Sequence, residues 1–146
     1  MRSIRTAIIR PLIIVALAFG VALPGISSAA AGQRQVLDGF TGEAKAMDRN
    51  FQEFSAERGR ILFYSSPATG KPDTPSCTSC HTANPANVGQ TRAGKEIAPM
   101  ALSKSPDRYG DMEKVEKWFR RNCNSVLGRA CTPVEKGDYL TFMFTQ

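Results

Sequence analysis

The chain has 146 residues, 42% of them hydrophobic and 22% charged, with a net charge of +6. That length allows one domain with a modest core and argues against a multidomain enzyme. The positive charge does not form a nucleic-acid stripe, because Lys and Arg alternate with Asp and Glu, as in Glu113-Lys114-Val115-Glu116-Lys117.

Residues 1–31 read as a cleavable signal peptide, with Arg2, Arg5 and Arg10 as the basic start, Leu12 to Leu23 as the apolar stretch and Ser28-Ala29-Ala30-Ala31 as the small-residue exit. Cleavage is expected after Ala30 or Ala31. The apolar stretch is shorter than the roughly 20 residues of a membrane span, and Pro24-Gly25 ends it. Removing the leader takes three positive charges and no negative ones, so the mature chain falls from +6 to +3. Export places the protein in the periplasm, where cysteines not used for a cofactor pair.

Residues 32–54 read as an N-terminal extension with a weak helical pattern from Val36 to Met47, and residues 55–146 as the domain proper. A helix capped by Ser55 follows and runs to Tyr64, with Ile61, Leu62 and Phe63 as its apolar side. Ser65 to Pro75 is rich in Pro, Ser and Gly and reads as a loop. Thr82 to Ser105 lacks periodicity and is long enough to be wrapping another object. A further helix begins at Asp107 or Asp111 and places Met112, Val115, Trp118 and Phe119 on one face; Arg120 and Arg121 suit its last turn, so it ends near Asn122. The last helix starts with Thr132 as cap, Pro133 in the first helical position and Glu135 closing a capping box, and passes through Leu140, Phe142 and Met143. Gly59 is a candidate for close approach to Tyr139 or Leu140.

One five-residue motif carries specific chemistry. In Cys77-Thr78-Ser79-Cys80-His81, two thiols separated by two residues suit addition to the vinyl groups of one haem, and the adjacent His suits axial ligation of its iron. A redox-active dithiol would need a βαβ context that the pattern lacks, and a zinc site would need four ligands close together. His81 is the only histidine, so a bis-histidine haem is excluded. The usual sixth ligand of an electron carrier is methionine, and Met100 in the wrapping loop is the best placed; Met112 and Met143 fall on apolar helix faces and Met47 in a weakly defined segment. Cys123 and Cys131 follow the predicted helix end and should close the loop Asn124 to Ala130 as a disulfide. On generic grounds Asn122 does no more than end its helix.

Several stretches resemble the sphaeroides haem protein family, small class I-like c-type cytochromes. They are Ala56-Glu57-Arg58-Gly59-Arg60, Gly70 to Cys77, Gly89 to Pro99, Val115 to Cys123 and Leu127 to Pro133. The resemblance implies an all-α, class I cytochrome c-like fold around one covalent haem c. It also implies His81 and, unusually, the Asn122 side chain as the two axial iron ligands, with Cys123 and Cys131 paired beside them. Met100 then lines the pocket. A neutral amide is a weak donor, so reduction should release Asn122 and leave a place for a diatomic gas such as O2, NO or CO. Electron transport from a di-haem cytochrome c and a membrane cytochrome b, and a monomeric state, complete the expectation. A permanent Met100 ligand and plain electron transfer form the alternative, and catalytic turnover is left open. Tyr109, Trp118 and Phe119 are expected in the pocket or core, and Arg92, Lys95 and Arg108 on a solvated surface.

Overall fold

The computed structural model describes residues 28–146; of the expected signal peptide, residues 1–31, all but the last four residues, which begin the first helix, lie outside the described residues. Helices dominate. They are α1 (Ser28–Met47), α2 (Ala56–Tyr64), the single turn α3 (Thr78–His81), α4 (Met112–Val126) and α5 (Pro133–Phe144), and a short antiparallel pair, β1 (Gly89–Gln90) and β2 (Glu96–Ile97), lies between α3 and α4. Among the described residues no helix is long and apolar enough to cross a membrane.

The central element is α5, which packs against both α2 and α1. Its start is the one the sequence signals: the Thr132 side chain accepts from the Glu135 amide while the Glu135 carboxylate accepts from the Thr132 amide, with Pro133 between them. The helix then buries Tyr139, Leu140, Phe142 and Met143. Phe40, Phe63, Leu140, Met143 and Val36 are the largest fully buried side chains, each worth about 1.5–3 kcal/mol of transfer from water.

Close approach of α2 to α5 depends on Gly59, as expected, but its neighbours are Asp138 and Phe142 rather than Tyr139 or Leu140. A methyl group on Gly59 would overlap the Asp138 carbonyl and lie 2.9 Å from Phe142 Cβ. The same crossing is pinned by charge. The Asp138 carboxylate accepts from the Ser55 amide at 2.6 Å, from Arg58 Nε at 2.6 Å and from Arg58 Nη2 at 2.8 Å.

Four sequence readings are corrected by the packing. The helix read from Val36 extends back to Ser28 and contributes to the core: Val36, Phe40 and Ala44, spaced one helical turn apart, are buried. Ile61, expected on the apolar side of α2, is 56% exposed, because Leu62 and Phe63 take the inward directions. Trp118 is 47% exposed, whereas Val115 is buried and Phe119 lies edge-on to Tyr139 at 5.5 Å and to Phe40 at 6.1 Å. Finally, α4 does not stop at Asn122 but continues to Val126, where Leu127 caps it and Gly128, at φ +68°, turns the chain away.

Candidate haem site

The attachment motif is a single helical turn. His81 N donates to Cys77 O at 3.1 Å and Cys80 N to the same carbonyl at 3.3 Å, which carries both cysteines and His81 on one compact turn. The Ser76 hydroxyl lies 2.7 Å from that of Thr78 and 3.1 Å from that of Ser79, bracing the entry. Directly after His81 the backbone of Thr82 has φ +62°, a strained conformation for a β-branched residue. The segment expected to wrap without structure of its own instead forms the β1–β2 pair, with Gly89 opposite Ile97 and Gln90 opposite Glu96. A side chain on Gly89 would strike the Cys80 carbonyl and lie 3.1 Å from His81 Cα, so the hairpin lies directly on the attachment turn. Beyond it, Met100 N and Ala101 N both donate to Pro85 O, at 2.8 and 2.9 Å, and Leu102 N donates to Met143 O at 3.0 Å, fastening the loop to the end of α5.

The donor set suits a covalent haem. Cys77 and Cys80 are unpaired thiols, as addition to two vinyl groups requires, and burial pushes the Cys77 thiol up to about 11. Burial, with the positive charge of Arg108 second, pushes His81 down to about 4, so the imidazole is neutral at pH 7, the form that ligates iron. His81 Nδ1 is buried without a hydrogen-bond partner. Neither competing reading finds support: among the described residues no group of three or more His, Cys, Asp or Glu could hold a metal ion, and the only strands are the two-residue pair.

Cys123 and Cys131 form a disulfide with Cα atoms 5.6 Å apart. Cys123 lies inside the last turn of α4, so the bridge ties that turn to the residue before the α5 cap. Asn122 precedes it, exposed, on the same side of α4 as Trp118 one turn earlier. Among the described residues no hydrogen bond joins Asn122 to the attachment turn, whereas its neighbour Asn124 donates to Arg120 O at 2.7 Å. Met100 is buried, and its Sδ accepts from Arg108 Nη2 at 3.3 Å. Sequence reasoning placed Tyr139 only as a possible neighbour of Gly59 and not in the site; it is buried, lies against Phe119 and Phe63, and has its hydroxyl pushed well up by burial. Tyr109, with φ +66°, donates from its hydroxyl to Met100 O at 2.8 Å. No periodic signal marks either role; only the position of the loop against α5 does.

Residues 49–143 match a family model described as a domain of unknown function, DUF1924. Cytochrome c-type protein SHP of Cereibacter sphaeroides is 51% identical over 137 residues, covering 94% of this chain and 98% of that one. Cytochrome c'' of Methylophilus methylotrophus is 36% identical over 108 residues, covering 73% of this chain and 75% of that one. A solved structure of oxidised SHP, described as an oxygen-binding cytochrome c, superposes with a TM-score of 0.71 at 52% identity, covering 78% of this chain and 96% of that one. The solution structure of cytochrome c'', presented for the structural basis of haem-ligand detachment, superposes with a TM-score of 0.68 at 33% identity, covering 80% and 94%.

A helical fold closed on α5, with unpaired Cys77 and Cys80 and a neutral His81 on one turn, defines a class I-like, monohaem c-type cytochrome carrying covalent haem c. The chain belongs to the sphaeroides haem protein family.

Proposed function

We propose that this protein is an exported, periplasmic cytochrome that binds a diatomic gas at its reduced haem. Haem, when bound, would supply a one-electron iron centre. Cys77 and Cys80 would hold the porphyrin through thioether bonds, and the neutral imidazole of His81 would ligate the iron. The Asn122 amide oxygen would be a second protein ligand to ferric iron. That donor is uncharged and weak, so it would hold ferrous iron less well than ferric, and its amide nitrogen would be available as a hydrogen-bond donor to O2, NO or CO. The disulfide limits how far Asn122 can move, because Cys123 is its covalent neighbour. Electrons arrive from another cytochrome, a di-haem cytochrome c or a membrane cytochrome b.

The observation that carries this reading is the likeness over nearly the whole chain to SHP, whose structure is described as that of an oxygen-binding cytochrome. Two features of this chain support it: a single histidine, and a Met100 sulfur already engaged by Arg108. The test is the visible spectrum of the purified holoprotein, oxidised and dithionite-reduced, with and without CO, for wild type and Asn122→Ala. The expected result is a high-spin reduced wild type that binds CO rapidly, with Asn122→Ala already high-spin when ferric. A reduced protein that stays six-coordinate, ignores CO and shows a methionine-to-iron band when ferric would make it a simple electron carrier ligated by Met100.

A further inference from the structure

Arg108 stands in the loop before α4, and every acceptor around it is neutral. Its Nε donates to Pro99 O at 2.9 Å, its Nη2 to Ala98 O at 3.2 Å and to Met100 Sδ at 3.3 Å, and its guanidinium lies 5.9 Å from the Tyr109 ring centre. Among the described residues the ion pairs join Arg58 to Asp138, Arg60 to Glu57, Arg92 to Asp73, Arg129 to Glu135 and Lys136 to Glu116, and none includes Arg108. A half-buried guanidinium with no counter-ion is costly.

The position of this cation is built rather than accidental. The Arg108 carbonyl accepts from Gln33 Nε2 at 2.8 Å, and the same Nε2 also holds Pro106 O at 2.7 Å. Gln33 is itself buried at 7% exposure, so α1 clamps the main chain of Arg108. The next residue, Tyr109, has left-handed backbone, a strain that persists only where surroundings enforce it. Met100, whose sulfur accepts from Arg108, belongs to the buried cluster against which Cys77 of the attachment turn packs.

We propose that Arg108 pairs with a propionate carboxylate of the covalently held haem, and through that pair raises the reduction potential of the iron. A c-type haem carries two propionates on the edge away from its thioether bonds, and a guanidinium fork is the side chain best matched to a carboxylate. Nη1 makes none of the bonds above and is the donor free to turn to it. A fixed positive charge near the iron disfavours the ferric state, which carries one more positive charge than the ferrous. Arg92, Lys95 and Lys104, the other cations between α3 and α4, are exposed, and Arg92 is already paired. The inference rests on haem attachment alone and is independent of which side chain is the sixth ligand.

The test compares holoprotein of wild type, Arg108→Gln, Arg108→Lys and, as a charge control, Arg92→Gln. Resonance Raman spectra report the propionate-bending band, and a redox titration reports the midpoint potential. The expected result is a shifted bending band in both Arg108 variants, a lower midpoint in Arg108→Gln, a midpoint closer to wild type in Arg108→Lys, and no change of either readout in Arg92→Gln. Unchanged band and midpoint in the Arg108 variants, accompanied only by a lower melting temperature, would overturn the proposal and leave Arg108 as a staple of the loop. An equal midpoint shift in Arg92→Gln would overturn it as well, since net charge would then suffice. If Arg108→Gln does not accumulate, the band in Arg108→Lys decides: a shift supports the pair and an unchanged band refutes it.

Discussion

Glu135 shows how a single side chain joins local and tertiary structure. Its carboxylate closes the α5 capping box and also takes both terminal nitrogens of Arg129, at 2.8 and 2.6 Å. The hydrogen bond from Arg129, aided by the Thr132 amide, holds the Glu135 carboxyl below its ordinary value of 4.5. A carboxyl lowered in the folded state contributes stability above its unfolded value, and that contribution is lost as pH falls through the folded one. Glu135→Gln should therefore melt below wild type at pH 7, with the difference narrowing as pH is lowered past 4.5, as thermal denaturation at a series of pH values would read. The capping half of this role is legible in Thr132-Pro133-Val134-Glu135. The Arg129 half is not, because it depends on how the disulfide loop folds back.

Among the elements, α2 and α5 form the tightest crossing, and it is sensitive at one residue. Gly59→Ala would push a methyl group into the Asp138 carbonyl and the Phe142 side chain. Backbone cannot give way as a side-chain tip does, so a loss of about 1–3 kcal/mol, or more if the helices separate, is expected in chemical denaturation. That Gly59 marks a close approach is legible in the sequence; the residues it meets are not, since a shift of one position along α5 exchanges Asp138 for Tyr139. The end of α4 teaches a related lesson. Arg120 and Arg121 look like a last turn, yet the stop is set by Gly128, which was available in the sequence as a left-handed C-terminal residue. Its signal is masked by Cys123, whose obvious pairing suggests a loop where the chain is still helical.

For the molecule as a whole, α1 is part of the packed core. Phe40 is fully buried, meets Phe119 of α4 edge-on and has the Lys136 ammonium of α5 over its ring at 5.1 Å. Phe40→Ala should cost about 3–5 kcal/mol in equilibrium unfolding, a loss that a detached extension would not show. The sequence hides this because the apolar stripe of α1 is thin, with Val36, Phe40 and Ala44 among Gln, Arg, Asp and Glu. Whether such a stripe is buried depends on a complementary surface, which lies about a hundred residues later on α5. Gln33 extends the same connection to the Arg108 loop, so α1 both completes the core and positions a cation beside the attachment turn.

By itself the sequence determined what short-range chemistry determines. The Cys77-Thr78-Ser79-Cys80-His81 spacing prescribes haem attachment, the lone histidine excludes a second imidazole, Cys123 and Cys131 are close enough to pair, and Thr132 to Glu135 start a helix. Each of these is a relation among residues within one or two turns of chain, where covalent geometry leaves few choices. Only the tertiary structure decided that α1 belongs to the core, that Ile61 and Trp118 face outward, that Asn122 lies within α4, and that Arg108 is half-buried. Those outcomes are burial events, and burial is set by which distant surfaces meet.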